Sequence, residues 1–65
     1  MKVSYFEDTD TLYVAFCEGA IVESRDLDAN TVIDVDANGN ICAIAFEHAS
    51  ERTDVSRVVV EGMAA

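Results

Sequence analysis

The chain has no proline, one histidine, two cysteines and three glycines, and its 4 basic residues stand against 13 acidic ones. Each shortage excludes something. Gly19, Gly39 and Gly62 are isolated, so no glycine-rich loop is available to cradle a phosphate. No apolar stretch approaches the ~20 residues a membrane helix requires. No charged start leads into an apolar core of roughly 7–15 residues, so no signal peptide is visible. The formal net charge of -9 repels a phosphate backbone, whose binding rests on Lys and Arg, and argues against a nucleic-acid partner. Cys17 and Cys42 do not make the disulfide framework of a small secreted domain. They are expected as small buried hydrophobes in a reducing compartment. A soluble cytoplasmic protein follows.

What is present is apolar residue in quantity. At 51% the apolar fraction lies well above that of chains too polar to fold. The 65 residues make one domain over positions 1–65. A chain this short buries only about 60% of the surface it exposes when unfolded. Such domains usually add a disulfide, a metal or a second subunit. The acidity either keeps a small protein soluble or attracts a basic partner and speeds its encounter.

The apolar residues come in short β-rich runs between turn residues. Residues 2–6 alternate, with Val3 and Tyr5 on one side. After the polar break "EDTDT", "LYVAFC" over 12–17 is a strand apolar on both faces: Leu12, Val14 and Phe16 against Tyr13, Ala15 and Cys17. A strand of that kind is central and covered twice, or it awaits a partner. More polar residues at 20–27 predict a third strand, 31–36 a fourth and 40–46 a fifth. Short connections make consecutive strands antiparallel neighbours, which predicts a meander. "EHASERTD" over 47–54 suits a short helix. "SRVVVE" over 56–61 is ambiguous: Val55, Val58 and Val59 fit a helical stripe, but three consecutive valines favour a sixth strand.

"DVDANGNI" over 34–41 imitates the start of a calcium loop. Asp34, Asp36, Asn38 and Gly39 fall at positions one, three, five and six, but Ala45 stands where the bidentate Glu belongs. Asp, Asn and Gly in this order are equally the residues of a hairpin turn. A two-residue Asn38-Gly39 loop would set Ile33 and Val35 across from Ile44 and Cys42, and a three-residue loop would flip that pairing. The turn is the expectation.

No catalytic constellation is readable. His48 is alone at a strand end, and no triad spacing relates it to Cys17 or Cys42. The paired carboxylates (Asp8 with Asp10, Asp26 with Asp28, Asp34 with Asp36) show no sign of the burial that acid–base chemistry needs. The sequence implies no enzyme and no cofactor.

Two blocks together resemble a known family. "SYFEDTDTLYVAF" is similar to a Tyr-Asp-x-x-x-Asp-x-Leu-Tyr-Ile opening, and "VIDVDANGNICAIAFEHAS" to an Ile-Leu-Asp-x-Asp-x-x-Gly-x-Ile-x-Gly-Ile-Glu-Ile-x-x-Ala-Ser block. These are marks of a small prokaryotic family known only as domain of unknown function two-two-eight-three. The matching positions are Tyr5, Asp10, Leu12, Tyr13, Val14, Asp34, Asp36, Gly39, Ile41, Ile44, Ala49 and Ser50. Phe6 stands where the family often has Asp, Ala43 where it has Gly and Ala45 where it has Glu. The resemblance implies a compact β-rich domain with no established activity. It also implies companionship with small toxin-like proteins encoded nearby, hence an antitoxin-type binder.

The expected architecture is α+β: an antiparallel β-meander of about five strands, one short helix after the fifth, and a sixth strand at the C-terminus. A short helix cannot cover both faces of residues 12–17, so a homodimer is expected, with exchange of the C-terminal segment as one route. Its surface, or that for another partner, would include Leu12, Tyr13, Val14, Ala15, Phe16, Val58 and Val60. The leading functional expectation is a non-catalytic interaction module, an acidic antitoxin-like partner of a small basic protein. A rival is small-molecule or metal binding by Asp8, Asp10, Asp34 and Asp36 on two turns at one end of the meander. A structural homodimer without ligand is the third.

Overall fold

A computed structural model describes residues 1–59, 61 and 62. Five strands form one antiparallel sheet: β1 (Lys2–Phe6), β2 (Thr11–Ala15), β3 (Glu23–Asp28), β4 (Thr31–Val35) and β5 (Ile41–Phe46). One short helix follows, α1 (Ala49–Arg52). The five strands and the helix lie where the sequence pattern places them, with ends shifted by up to three residues.

The strand order is not that of a plain meander. It runs β1-β2-β5-β4-β3, so β2 pairs with β5 and not with β3. Strands β3, β4 and β5 follow one another through hairpins, and β2 returns beside β5, which is a Greek key. The link 16–22 carries the chain from the sheet centre to its far edge, along the ends of β5 and β4. Phe16 and Cys17 N–H both donate to Cys42 O (2.7 and 3.3 Å), and Val22 N–H donates to Val35 O (3.0 Å).

Composition explains the order. A meander would have placed β3, "ESRDLD", in the middle and left β5, "ICAIAF", with an unpaired edge. The observed order gives β5 two neighbours and puts β3 on the rim, where all six of its residues are exposed. Charged side chains on an edge strand also deter pairing with other chains.

The same crossover brings the cysteines together. Cys17 and Cys42 form a disulfide, with Cα atoms 5.1 Å apart across a separation of 25 residues. This corrects the expectation of two free buried thiols: Cys42 is buried, at 1% exposure, but Cys17 is exposed. The reason is topological, because only the link from β2 to the far edge passes the start of β5.

Residues 56–61 form no strand as far as they are described, against the expected sixth strand, and Val60 lies outside the described residues. The local chain turns instead. The Asp54 carboxylate accepts from Ser56 N–H (3.0 Å) and Oγ–H (2.5 Å), and Arg57 N–H donates to Asp54 O (3.2 Å). Valine favours a strand only when there is a strand to pair with.

The interior is small. The buried apolar residues are Val35, Cys42, Ala43 and Ala49, joined by the polar Thr31. No residue of β2 is buried.

Candidate functional site

Two loops and α1 meet at one end of the sheet, around Asp10. The loop between β1 and β2 closes with Asp10 N–H on Glu7 O (3.2 Å), and Asp10 takes a left-handed backbone, φ 50°. Asp tolerates that region better than most residues because its short side chain bonds locally. Here the carboxylate is fully engaged. It accepts Tyr5 O–H (2.5 Å), Ser50 N–H (3.1 Å) and Ser50 Oγ–H (2.7 Å), while Asp10 O accepts Ala49 N–H (2.9 Å). The hydrogen bond from Tyr5, then that from Ser50, hold the Asp10 carboxyl below its ordinary pKa, with His48 adding a smaller pull. The same bond, seen from the phenol, raises the pKa of Tyr5.

This contact seats α1. The helix has four residues, no side-chain N-cap, and His48 in left-handed conformation at its start. Such a helix has no stability of its own and rests on its attachments. Ala49 is buried at 1% exposure. The Arg52 guanidinium lies 5.2 Å from the Phe46 ring centroid and donates to Asn30 O (2.9 Å) and Thr31 Oγ1 (3.1 Å). A shallow groove lined by Leu12, Phe46, Ala49, Arg52 and Thr53 remains beside it.

Asp34 belongs to a different place, on a face of the sheet. Its carboxylate accepts Tyr13 O–H (2.8 Å) and Ser24 Oγ–H (2.6 Å). Tyr13 pairs with Ala45 and Asp34 with Ala43, so the phenol reaches across β5 where only methyl groups stand. The bond to Asp34 raises the Tyr13 pKa.

Asp36 makes the turn. Its carboxylate accepts Asn38 N–H (2.9 Å) and Asn40 N–H (3.0 Å), Asp36 O accepts Gly39 N–H (3.1 Å), and Gly39 has φ 82°. The loop is therefore the three-residue form with a left-handed glycine. Yet Ile33 faces Ile44, as a two-residue loop would require. A register shift between Asp34 and Val35 reconciles the two: Asp34 faces Ala43 and Val35 faces Ile41, so Cys42 is the extra residue of a bulge. Both registers seen in the sequence are present, one in the turn and one in the strands.

The four carboxylates of the metal hypothesis do not converge. Asp8 and Asp10 lie beyond Phe6, at the end where Leu12 pairs with Phe46, whereas Asp36 lies at the opposite end of β5. The length of β5 separates them, roughly 17 Å at ~3.4 Å per residue. The premise that both turns share one end of the sheet is thus overturned: strand direction alternates, β1 and β4 run oppositely, and the turns that leave them fall at opposite ends. Among the described residues no group of three or more His, Cys, Asp or Glu could hold a metal. His48 is exposed and its Nδ1 lies 3.3 Å from Glu51 Oε2, far from the bonded cysteines at the other end.

Pairing also sorts the expected partner surface. Leu12 and Val14 share a face with Val3, Tyr5, Ile33, Ile44 and Phe46; Tyr13 and Ala15 lie on the other with Ser4, Ser24, Asp26, Val32 and Asp34. Leu12, Tyr13, Val14 and Ala15 are half-buried, Phe16 is 48% exposed and Val58 56% exposed; Val60 lies outside the described residues. Sequence reasoning found Asp10 as a family position and a candidate ligand, Ser50 as a family position alone, and missed their contact. It also missed Arg52, whose signal was a cation three residues after Ala49, one helical turn on. Phe6 pairs with Thr11 and sits on the face opposite Tyr5, so its replacement of Asp leaves the Asp10 cluster untouched.

The profile of a family described as "Protein of unknown function (DUF2283)" matches residues 2–50, and the chain belongs to that family. No curated protein matches the chain, and no solved structure matches it.

Proposed function

We propose that this chain is a non-catalytic interaction module, an antitoxin-like binder of a small basic protein. One observation carries the reading: the polar side chains shared with the family hold the fold, while the acidic charge faces outward. Tyr5, Asp10 and Ser50 seat the helix, Tyr13 and Asp34 bridge the sheet, and Asp36 makes a turn. What remains for function is surface. Glu7, Asp8 and Glu51 are exposed at the end where α1 meets Asp10, with Arg52 as a nearby cation. A field of that sign steers a basic partner and speeds its encounter.

No helix among the described residues is long and apolar enough to cross a membrane. A cytoplasmic setting stays part of this reading only with Cys17 and Cys42 reduced, since the cytosolic thiol pool keeps most cysteines so.

Affinity purification from the native host is the test. One small basic protein should co-elute in equimolar amount and be released by raised salt, as contacts between exposed charges are screened. The triple reversal Glu7→Lys, Asp8→Lys, Glu51→Lys should abolish the co-elution. Recovery of the chain by itself, or of a partner indifferent to salt and to the reversal, refutes the proposal.

A further inference from the structure

Across the middle of the sheet runs a row that neither end covers. Val3 pairs with Val14, Val14 with Ile44, Ile44 with Ile33 and Ile33 with Arg25. The row is four aliphatic side chains from four adjacent strands, closed by one cation. On one flank α1 and Arg52 sit over Phe46 and Thr31. On the other, Cys42 and Val35 are buried where the crossover is tied to them by the disulfide and by the Val22 N–H. The row between stays open: Val14, Ile33 and Ile44 are only half-buried and Val3 is 36% exposed.

We propose that this row is the contact surface of a homodimer, in which a second copy of the chain lays the same row against it about a two-fold axis. Surface area supports the proposal. A compact chain of 7.0 kDa should expose about 4,000 Å², whereas this one exposes 4906 Å². The surplus of roughly 900 Å² is close to the ~800 Å² that each partner contributes to a standard stable interface. Part of it lies in the C-terminal segment, where Val58 and Val59 are 56% and 60% exposed, and part in the crossover and the sheet, where Val22 and Val3 are exposed.

Charge selects the occupant. Two chains that each carry a net charge of -9 can associate only through a patch free of acid. The row itself carries no carboxylate, and Glu23 beside it is paired with Arg25 at 2.8 Å. A basic partner gains no electrostatic attraction from an uncharged row and is drawn to the acidic end instead. A two-fold contact makes the patch its own complement, and two sheets packed ~10 Å apart close both open faces in one sandwich. The dimer leaves the polar face with Tyr13 and Asp34 outside, as well as the acidic end.

Sedimentation of the purified chain at micromolar concentration tests this without any other protein, so its outcome is independent of the basic-partner reading. The expected mass is twice 7.0 kDa. Val14→Lys should weaken the dimer by about 30-fold or more, the effect of removing a central anchor. Because Val14 also supports the fold, Val3→Lys on the edge strand provides a second variant, with circular dichroism to confirm that the sheet is retained. Ser4→Lys, on the opposite face, should leave the mass unchanged. A single-chain mass for the native protein overturns the proposal. So does a dimer indifferent to Val3→Lys and Val14→Lys, or one broken by Ser4→Lys. A chain that is single alone and loses its exposed row only to a basic protein would overturn it in favour of that protein.

Discussion

The two ends of the sheet are tied down by different chemistry. At one end Asp10 gathers the Tyr5 hydroxyl and the Ser50 hydroxyl and amide on its carboxylate, and the Ala49 amide on its backbone carbonyl, to seat a four-residue helix. At the other, a covalent bond between Cys17 and Cys42 fixes the crossover against β5. The first tie depends on pH and is open to water. The second depends on redox state and involves one of the most buried side chains in the molecule. A small chain with four buried apolar residues among those described needs such ties, since a core of that size supplies little stability.

Reduction should have the largest effect. Opening a bond that spans 25 residues should cost about 3–4 kcal/mol on the loop-entropy account, read as a shift of the urea midpoint between oxidised and reduced protein. Cys17→Ser with Cys42→Ser should reproduce it, with little dependence on pH from neutral to mildly acidic conditions. Equal midpoints would show that the crossover holds without its bond.

Asp10→Asn should have the next largest effect, lowering Tm by several degrees at neutral pH. Asn tolerates the left-handed backbone, so the variant isolates the charge. The sign follows from the pKa. The folded carboxyl sits below its ordinary value of 3.8, so near that pH the unfolded chain binds more protons. The stabilisation is present above the unfolded value and is lost as pH falls through the lowered one. The gap between native protein and variant should therefore close in acid. At the alkaline side, Tyr5 is raised above 10.0 by the same bond. Its contribution is intact below that value and is lost as pH rises through the raised one, and Tyr5→Phe should lack this loss. Thermal melts across pH decide both, and a gap that persists in acid would show that Asp10 acts by shape alone.

Gly39→Ala should be the mildest, about 1 kcal/mol, the cost of a side chain in left-handed conformation. A Cβ there meets nothing within 4 Å, so the cost is in the backbone and not in packing. A loss well above that in chemical denaturation would mean that the turn at the crossover end also governs the bulge at Cys42.

The turns were legible in the sequence because their causes are local. Asp36, Asn38 and Gly39 carry the preferences of their own backbone positions, and Asp28 accepts Asn30 N–H (2.9 Å) in the same manner. The Asp10 cluster was only half legible: the family pattern named Tyr5, Asp10, Ala49 and Ser50 but not that they touch. Ser50 is 40 residues from Asp10 along the chain, and no period or turn rule reaches that far. The sixth strand failed for the opposite reason, because propensity was taken where pairing was required.

What the sequence determined alone is the set of strands, their alternating faces, their turns and the surplus of apolar side chains over what so short a chain can cover. These follow from backbone preference and from the two-residue period of a strand. The tertiary structure decided which strands are neighbours. From that came the meeting of Cys17 with Cys42 and the open row from Val3 to Ile33. A link of seven residues between β2 and β3 permits either a hairpin or a crossing. The choice fell to the global need to place the most apolar strand at the centre and the most charged at the rim.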